Sequence, residues 1–325
     1  MLSRVADACY WMSRYIERAE NNARIIAVNA QLLLDFENQK TFLPQEQWQP
    51  ILAVFNARKD YLSLYPEISQ EKVLEFFTYD RKNPNSLFSC VEAARENARA
   101  IREQISSEMW EQINKIYLYL QGDRSHADFS GGTHDFYRRI IESSHLFQGV
   151  TDATMTHGEA WQFIQMGKMI ERGDSTSRLV DVKYHLLLPQ GEAVGGTVDI
   201  VQWKAVLRSC SAMEAYLKLF AGQVQPAYVA NFLILDGGFP RSIRFCAHRL
   251  NSALHNISGV ATNHFANEAE RHCGMLRSNL DFTTIQDIIK SGLHEFLDSI
   301  QYQLMEISNA LTHTYCQWRG NEKTP

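Results

Sequence analysis

The residues of this sequence that could do chemistry are carboxylates and guanidinium groups at helical spacing, and they come twice. Arg14-Tyr15-Ile16-Glu17-Arg18-Ala19-Glu20-Asn21-Asn22-Ala23-Arg24 recurs as Lys168-Met169-Ile170-Glu171-Arg172-Gly173-Asp174-Ser175-Thr176-Ser177-Arg178, displaced by 154 residues. Both copies read basic-x-Ile-Glu-Arg-small-acid-x-x-small-Arg. Such a set could do three things. Glu17, Glu20, Glu171 and Asp174 could serve as acids, bases or metal ligands, with Arg18, Arg24, Arg172 and Arg178 positioning a carboxylate. The two clusters could instead line a polar pocket for an anionic or amide-bearing ligand. Or they could form a buried ion-pair network that specifies how helices pack.

More specific motifs are absent from the sequence. His157-Gly158-Glu159 is not a His-Glu-x-x-His zinc motif, and there is no Gly-rich phosphate loop or serine nucleophile elbow. The acids three apart in each copy lack the Glu-x-x-His partners that helical di-metal sites use. His264, Glu268 and His272 would share one helical face but have no fourth ligand in view. No metal and no cofactor is therefore expected. Six scattered cysteines without a Cys-x-x-Cys pair are expected to be reduced core residues. His157 and His313 are expected as satisfied buried histidines, and the six tryptophans as core rather than a stacking platform.

The elements that must carry these groups are long helices. Val5, Cys9, Met12, Ile16, Ala19, Ala23, Ile26, Ala30 and Leu33 recur at steps of three and four, as do Phe163, Met166, Ile170, Gly173, Ser177, Val180, Tyr184 and Leu187. Ala19 with Ala23, and Gly173 with Ser177, leave a shallow place in each stripe where the two helices are expected to cross. At about 100° per residue, Glu20 and Arg24 fall within a right angle of the stripe centre at Ile16 and Glu17 about at its edge, so these charges are expected to be partly buried and to need opposite charges. Arg14 and Arg18 fall on nearly the opposite face.

Further blocks repeat in order. Gln47-Trp48, Leu52 and Tyr61 recur as Gln202-Trp203, Leu207 and Tyr216; Phe76, Asp80, Pro84, Ser86 and Cys90 recur as Phe232, Asp236, Pro240, Ser242 and Cys246. The displacement drifts only from 154 to 156, the trace of a tandem duplication with small insertions. Each Pro-x-Ser element reads as a helix start. If Arg99, Arg241 or Arg244 on the helices that follow point toward the Glu-Arg helices, they could add a guanidinium fork. Pro189 to Gly196 reads as the loop between halves, Gln121 to Thr133 as a second loop, and the region from about Thr262 to Trp318 as two helices. No stretch alternates like a strand. The expected fold is all-α: one domain over 1–325, a helical bundle of two pseudo-symmetric halves, about 1–155 and 156–325.

Composition bounds the function. Of 325 residues, 45% are hydrophobic and 21% charged, as in ordinary globular proteins, and the net charge of −5 argues against a nucleic-acid partner. Charges at Arg4, Asp7, Arg14 and Glu17 interrupt any apolar run near the start, so neither a signal peptide nor a membrane span is expected, and the location is expected to be cytoplasmic.

In these blocks, together with Met1-Leu2-Ser3-Arg4-Val5-Ala6-Asp7, Ala94-Arg95-Glu96-Asn97-Ala98-Arg99, Glu108-Met109-Trp110-Glu111, Pro240-Arg241-Ser242-Ile243-Arg244 and Gly292-Leu293-His294, the chain resembles the Alpha-E family, also called DUF403. The resemblance implies an all-helical protein defined by a Glu-Arg motif, encoded beside or fused to ATP-grasp ligases and transglutaminase-like proteins. It implies a role in peptide or amide-bond synthesis and brings no catalytic residue with it. The expectation is thus an accessory or co-catalytic partner of such a ligase, more a binding component than an independent enzyme. The other readings are an enzyme with a carboxylate/Arg site or a purely structural scaffold, and self-association into a homo-oligomer is left open.

Overall fold

The computed structural model describes residues 1–37, 44–186 and 196–316, with side chains described over 1–32, 48–183 and 196–316. The described residues form sixteen α-helices, a terminal π turn (Thr312–Cys316) and no strand, so the protein is all-α. None of these helices is long and apolar enough to cross a membrane.

The frame is a parallel pair, α1 (Ser3–Glu37) and α9 (Glu159–Leu186). Their direction follows from contacts in register: the amino terminus of Met1 meets Glu159 at 2.9 Å, Arg18 meets Glu171 and Glu17 meets Arg172. Between them Gly167 comes so close to α1 that a Cβ there would run into the carbonyl oxygen of Tyr10. The glycine is thus needed for approach and not for conformation. Gly173 does not serve the crossing as expected: it faces Leu304 and Cys246, on other helices.

Two sets of helices flank the pair. Helices α5 (Leu87–Ala100) and α8 (Thr133–Thr154) pack on α1, and α6 (Ser107–Gln121) bridges them. Helices α13 (Ile243–Ser258) and α16 (Leu293–Leu311) pack on α9, bridged by α14 (Glu268–Phe282). Two connections cross over, α2 (Pro44–Val54) lying on α9 and α10 (Thr197–Ser209) on α1. Short helices complete the order: α3 (Arg58–Leu64), α4 (Gln70–Thr78) and α7 (Asp123–Gly131), then α11 (Met213–Leu219), α12 (Pro226–Leu235) and α15 (Ile285–Ser291).

Local geometry repeats where the sequence does. Ser86 and Ser242 both cap a helix, each accepting from the amide three residues on, and Cys90 and Cys246 both donate to a proline carbonyl, of Pro84 and Pro240. Asn56 and Ser211 both take a left-handed backbone, at φ 49° and 50°. Tyr61 and Tyr216 each donate a hydroxyl to a downstream carbonyl.

Several expectations need correction. The stretch from Gln121 to Thr133 holds helix α7, opened by Asp123 in its first turn. The last third contains three helices, since Thr284 and Asp287 form a capping box that starts α15. Asn267 caps α14, so His264 lies before the helix and shares no face with Glu268 and His272. His157 and His313 are exposed, the first stacked on Trp161. Of the tryptophans, Trp48, Trp161 and Trp203 are buried and Trp11 and Trp110 half-buried; Trp318 lies outside the described residues, as does the connecting stretch from Pro189 up to Gly196.

Gly167→Ala should lower stability by about 2 kcal/mol, because the methyl group overlaps backbone that cannot swing away. Gly149→Ala, in α8 with open space around its Cα, should be neutral or gain up to about 1 kcal/mol. Urea unfolding midpoints of the two variants check the contrast.

Candidate functional site

The two Glu-Arg copies pair reciprocally. Arg172 of α9 donates Nε to Glu17 Oε1 at 2.7 Å, while Arg18 of α1 donates Nε to Glu171 Oε1 at 2.6 Å and a second bond to Oε2 at 3.0 Å. Arg14 adds a bond to Glu171 Oε2 at 2.9 Å and reaches the Tyr10 and Ser308 hydroxyls. Arg14 and Arg18, on the face away from the apolar stripe, therefore find a carboxylate partner. Helix α1 is enclosed on several sides, so a face opposite its apolar stripe still meets protein.

Arg241 completes the first cluster from the loop before α13. It bonds Glu17 Oε1 at 3.0 Å, both oxygens of Glu20 at 2.8 Å and Asn21 Oδ1 at 2.7 Å. Gln148 donates to Glu17 Oε2 at 3.1 Å, the His145 ring contacts Glu20 at 3.1 Å, and Arg24 lies against Glu20. Glu17 and Glu20 have no exposed surface.

The second cluster is more open. Displaced by 156 residues from Arg241 is Asn85, which is too short to reach an acid and accepts from Arg18 Nη1 at 2.9 Å. Asn22 donates to the Asn85 carbonyl as Thr176 donates to that of Arg241, at 2.6 and 2.8 Å. The outcome differs: the Asp174 and Arg178 side chains, joined at 2.9 Å, remain 26% and 33% exposed, whereas Glu20 and Arg24 are 0% and 5%. Beside them opens a cleft of about 1060 Å³, lined by Arg14, Arg18, Glu171, Asp174 and Arg178 with Asn21, Asn22, Asn85, Ser175, Gln301 and Ser308, and by Trp11, Phe55 and Tyr302.

Two candidates fall elsewhere. Arg244 turns to Asp281 on α14 at 2.8 Å, because it lies in the first turn of α13 and not in the loop before it. Arg99 is exposed in the last turn of α5 and pairs with Glu96. Sequence reasoning missed Asn85, His145, Gln148 and Ser308. The displacement that pairs Asn85 with Arg241 was available; nothing marked the other three.

The electrostatics are those of filled sites. Burial pushes both Glu17 and Glu171 up, but Arg172 with Arg241, and Arg18 with Arg14, outweigh it and hold both carboxyls down to about 2. Burial, with Arg172 beside it, lowers Lys168 to about 8; burial and Arg241 lower Arg24 to about 9. Burial raises the thiols of Cys9, Cys90 and Cys246 to about 12, which leaves them unreactive. No cluster of metal-ligating side chains occurs among the described residues.

An all-helical fold centred on an interlocked Glu-Arg pair is the class these observations define. A family model described as a predicted alpha-helical domain with a conserved ER motif, Alpha-E, matches residues 1–316. The chain belongs to the Alpha-E family. It is 23% identical over 338 aligned positions to Mb2597 of Mycobacterium bovis and to Rv2567 of Mycobacterium tuberculosis, both described as uncharacterized. The match covers 96% of this chain and 36% of each relative, so the chain spans about a third of their length. No solved structure matches.

Glu171→Gln should cost about 3 kcal/mol, since it leaves two guanidinium groups without their counter-charge in a largely buried place. The depressed carboxyls of Glu17 and Glu171 contribute stability that is full above about pH 4.5 and is lost as pH falls toward about 2. Urea midpoints from pH 6 to pH 2.5 should therefore fall less steeply for Glu171→Gln than for the wild type.

Proposed function

We propose that this protein is a binding module that holds a peptide in the cleft beside Asp174 and Arg178, as an accessory or co-catalytic partner of an ATP-grasp type ligase and a transglutaminase-like protein. The observation that carries this reading is the cleft lining. Side-chain amides and hydroxyls predominate, the charged groups among them are mostly paired, and aromatic rings lie alongside, a surface suited to peptide amides. Catalysis by Glu17 or Glu171 is disfavoured: acids held near 2 and saturated with guanidinium donors are poor proton carriers near neutrality. That the relatives carry further sequence beyond the matching third supports a module that works beside another domain. The ligase partner itself rests on the family resemblance.

We also infer that the chain is one domain built from a tandem duplication, with α1–α8 and α9–α16 as its halves. Support comes from the ordered repeats, the matching helix order and the repeated caps and turns. On this reading the halves have diverged at one position: Arg241 seals the first cluster, and Asn85 leaves the second open to a ligand. A purely structural role would explain the ion pairs, and it leaves the cleft without a purpose.

Asn85→Arg is the test. The new guanidinium should fold against Glu171 and Asp174 as Arg241 does against Glu17 and Glu20, leaving stability within about 1 kcal/mol of the wild type. Ligase turnover in a mixture of this protein, a cognate ATP-grasp protein and ATP should drop about tenfold or more, the equivalent of about 1.4 kcal/mol of lost binding. A folded variant that sustains the wild-type rate would sink the proposal.

A further inference from the structure

We propose that the cleft binds a carboxylate, seated by Arg178 with Asn21 and Gln301. The inference deepens the peptide-binding reading and rests on it. Asn21 is 4% exposed, and its amide orientation is decided by its neighbour: Oδ1 accepts from Arg241, so Nδ2 is the atom turned the other way. Among the described residues that Nδ2 has no hydrogen-bond partner, although Asn21 lines the cleft. Gln301, also in the lining, has a buried Nε2 in the same condition. Arg178 commits Nε to Asp174, and its two Nη groups have no partner among the described residues.

These donors stand at one level of the cleft. Helix α16 runs antiparallel to α9, with Leu304 against Gly173 and His294 bonded to Asp181, which puts Gln301 beside the turn from Asp174 to Arg178. Asn21 arrives at that level from α1, which is in parallel register with α9 through Glu17 and Arg172. Arg178 presents its guanidinium to the cleft and the two unpartnered amides lie buried in its wall, a donor-only set that calls for an acceptor-only partner, and the planar guanidinium fork suits a carboxylate. Asp174 and Asp298 line the same cleft and disfavour a dianion such as phosphate. Trp11, Tyr302 and Met305 line the same cleft, so the charge is one part of a larger organic ligand, the main-chain terminus or an acidic side chain of a peptide.

The experiment offers the purified protein two pools of random N-acetylated hexapeptides, one with free and one with amidated C-termini, and measures the retained peptides by mass spectrometry. Wild-type protein should favour the free-acid pool about tenfold, the scale of one charge-assisted contact. Arg178→Gln should bring that ratio to about one, and Gln301→Leu should reduce it, both at partly exposed positions where the fold is retained. Equal retention of both pools that follows Asp and Glu content and disappears in Arg178→Gln assigns the carboxylate to a side chain and upholds the site. Retention indifferent to both carboxylate sources and to Arg178→Gln, yet abolished by Asn85→Arg, overturns the carboxylate and leaves a peptide cleft. Failure to retain either pool overturns both.

Discussion

Everything in this fold depends on two glutamates that have been taken out of water between two parallel helices. A buried carboxylate is tolerable only with a hydrogen-bonded counter-charge, and each glutamate finds it on the other helix: Glu17 in Arg172, Glu171 in Arg18. Because glutamate and arginine are adjacent in each copy, the exchange works in one register and fails when a helix slides by a turn. The pair therefore sets the axial alignment of α1 and α9, and the flanking helices inherit it. Gly167 permits the close approach and the ion pairs specify it.

A network of this kind is costly in desolvation, and removing one partner leaves an uncompensated buried charge that costs more still. Its acids are held ionised by their partners, which takes them out of proton-transfer chemistry near neutral pH. On the binding reading proposed above, function falls to what the network leaves unsatisfied. Arg241 saturates one cluster, while Asn85, at the matching displacement, spends its oxygen on Arg18 and leaves Asp174 and Arg178 facing a cleft. The difference between a sealed site and an open one comes down to the length of one side chain.

The family, the all-α class and the helical setting of the motif were legible from the residues, because apolar spacing and capping signals are local. Ser86, Ser242 and the two Glu-Arg runs all lie where local patterning puts them. Legibility ended where a residue's environment depended on distant helices. For Arg14 and Arg18 a helical projection gave only a face away from the apolar stripe, with no means of naming a partner there, because it knows one stripe whereas α1 is surrounded. Arg99, Arg241 and Arg244 were indistinguishable as candidates; only their places relative to a helix cap, and which neighbour each meets, separated the one that enters the cluster from the two that do not.

The sequence by itself determined the all-helical class, the starts of the helices that Ser86 and Ser242 cap, which acids and bases stand together and that they stand together twice, since all of this is written at separations of a few residues or at a displacement that hardly drifts. Tertiary structure alone decided that the copies exchange partners and do not pair within themselves. It alone placed His145, Gln148 and Ser308 around them and left Asn21 and Gln301, in the wall of a cleft, with buried donors that no described residue meets. The physical reason is that helical periodicity gives a side chain's direction from its own axis. Whether that direction ends in water, in a counter-charge or in a cavity depends on segments from about sixty to more than two hundred residues away.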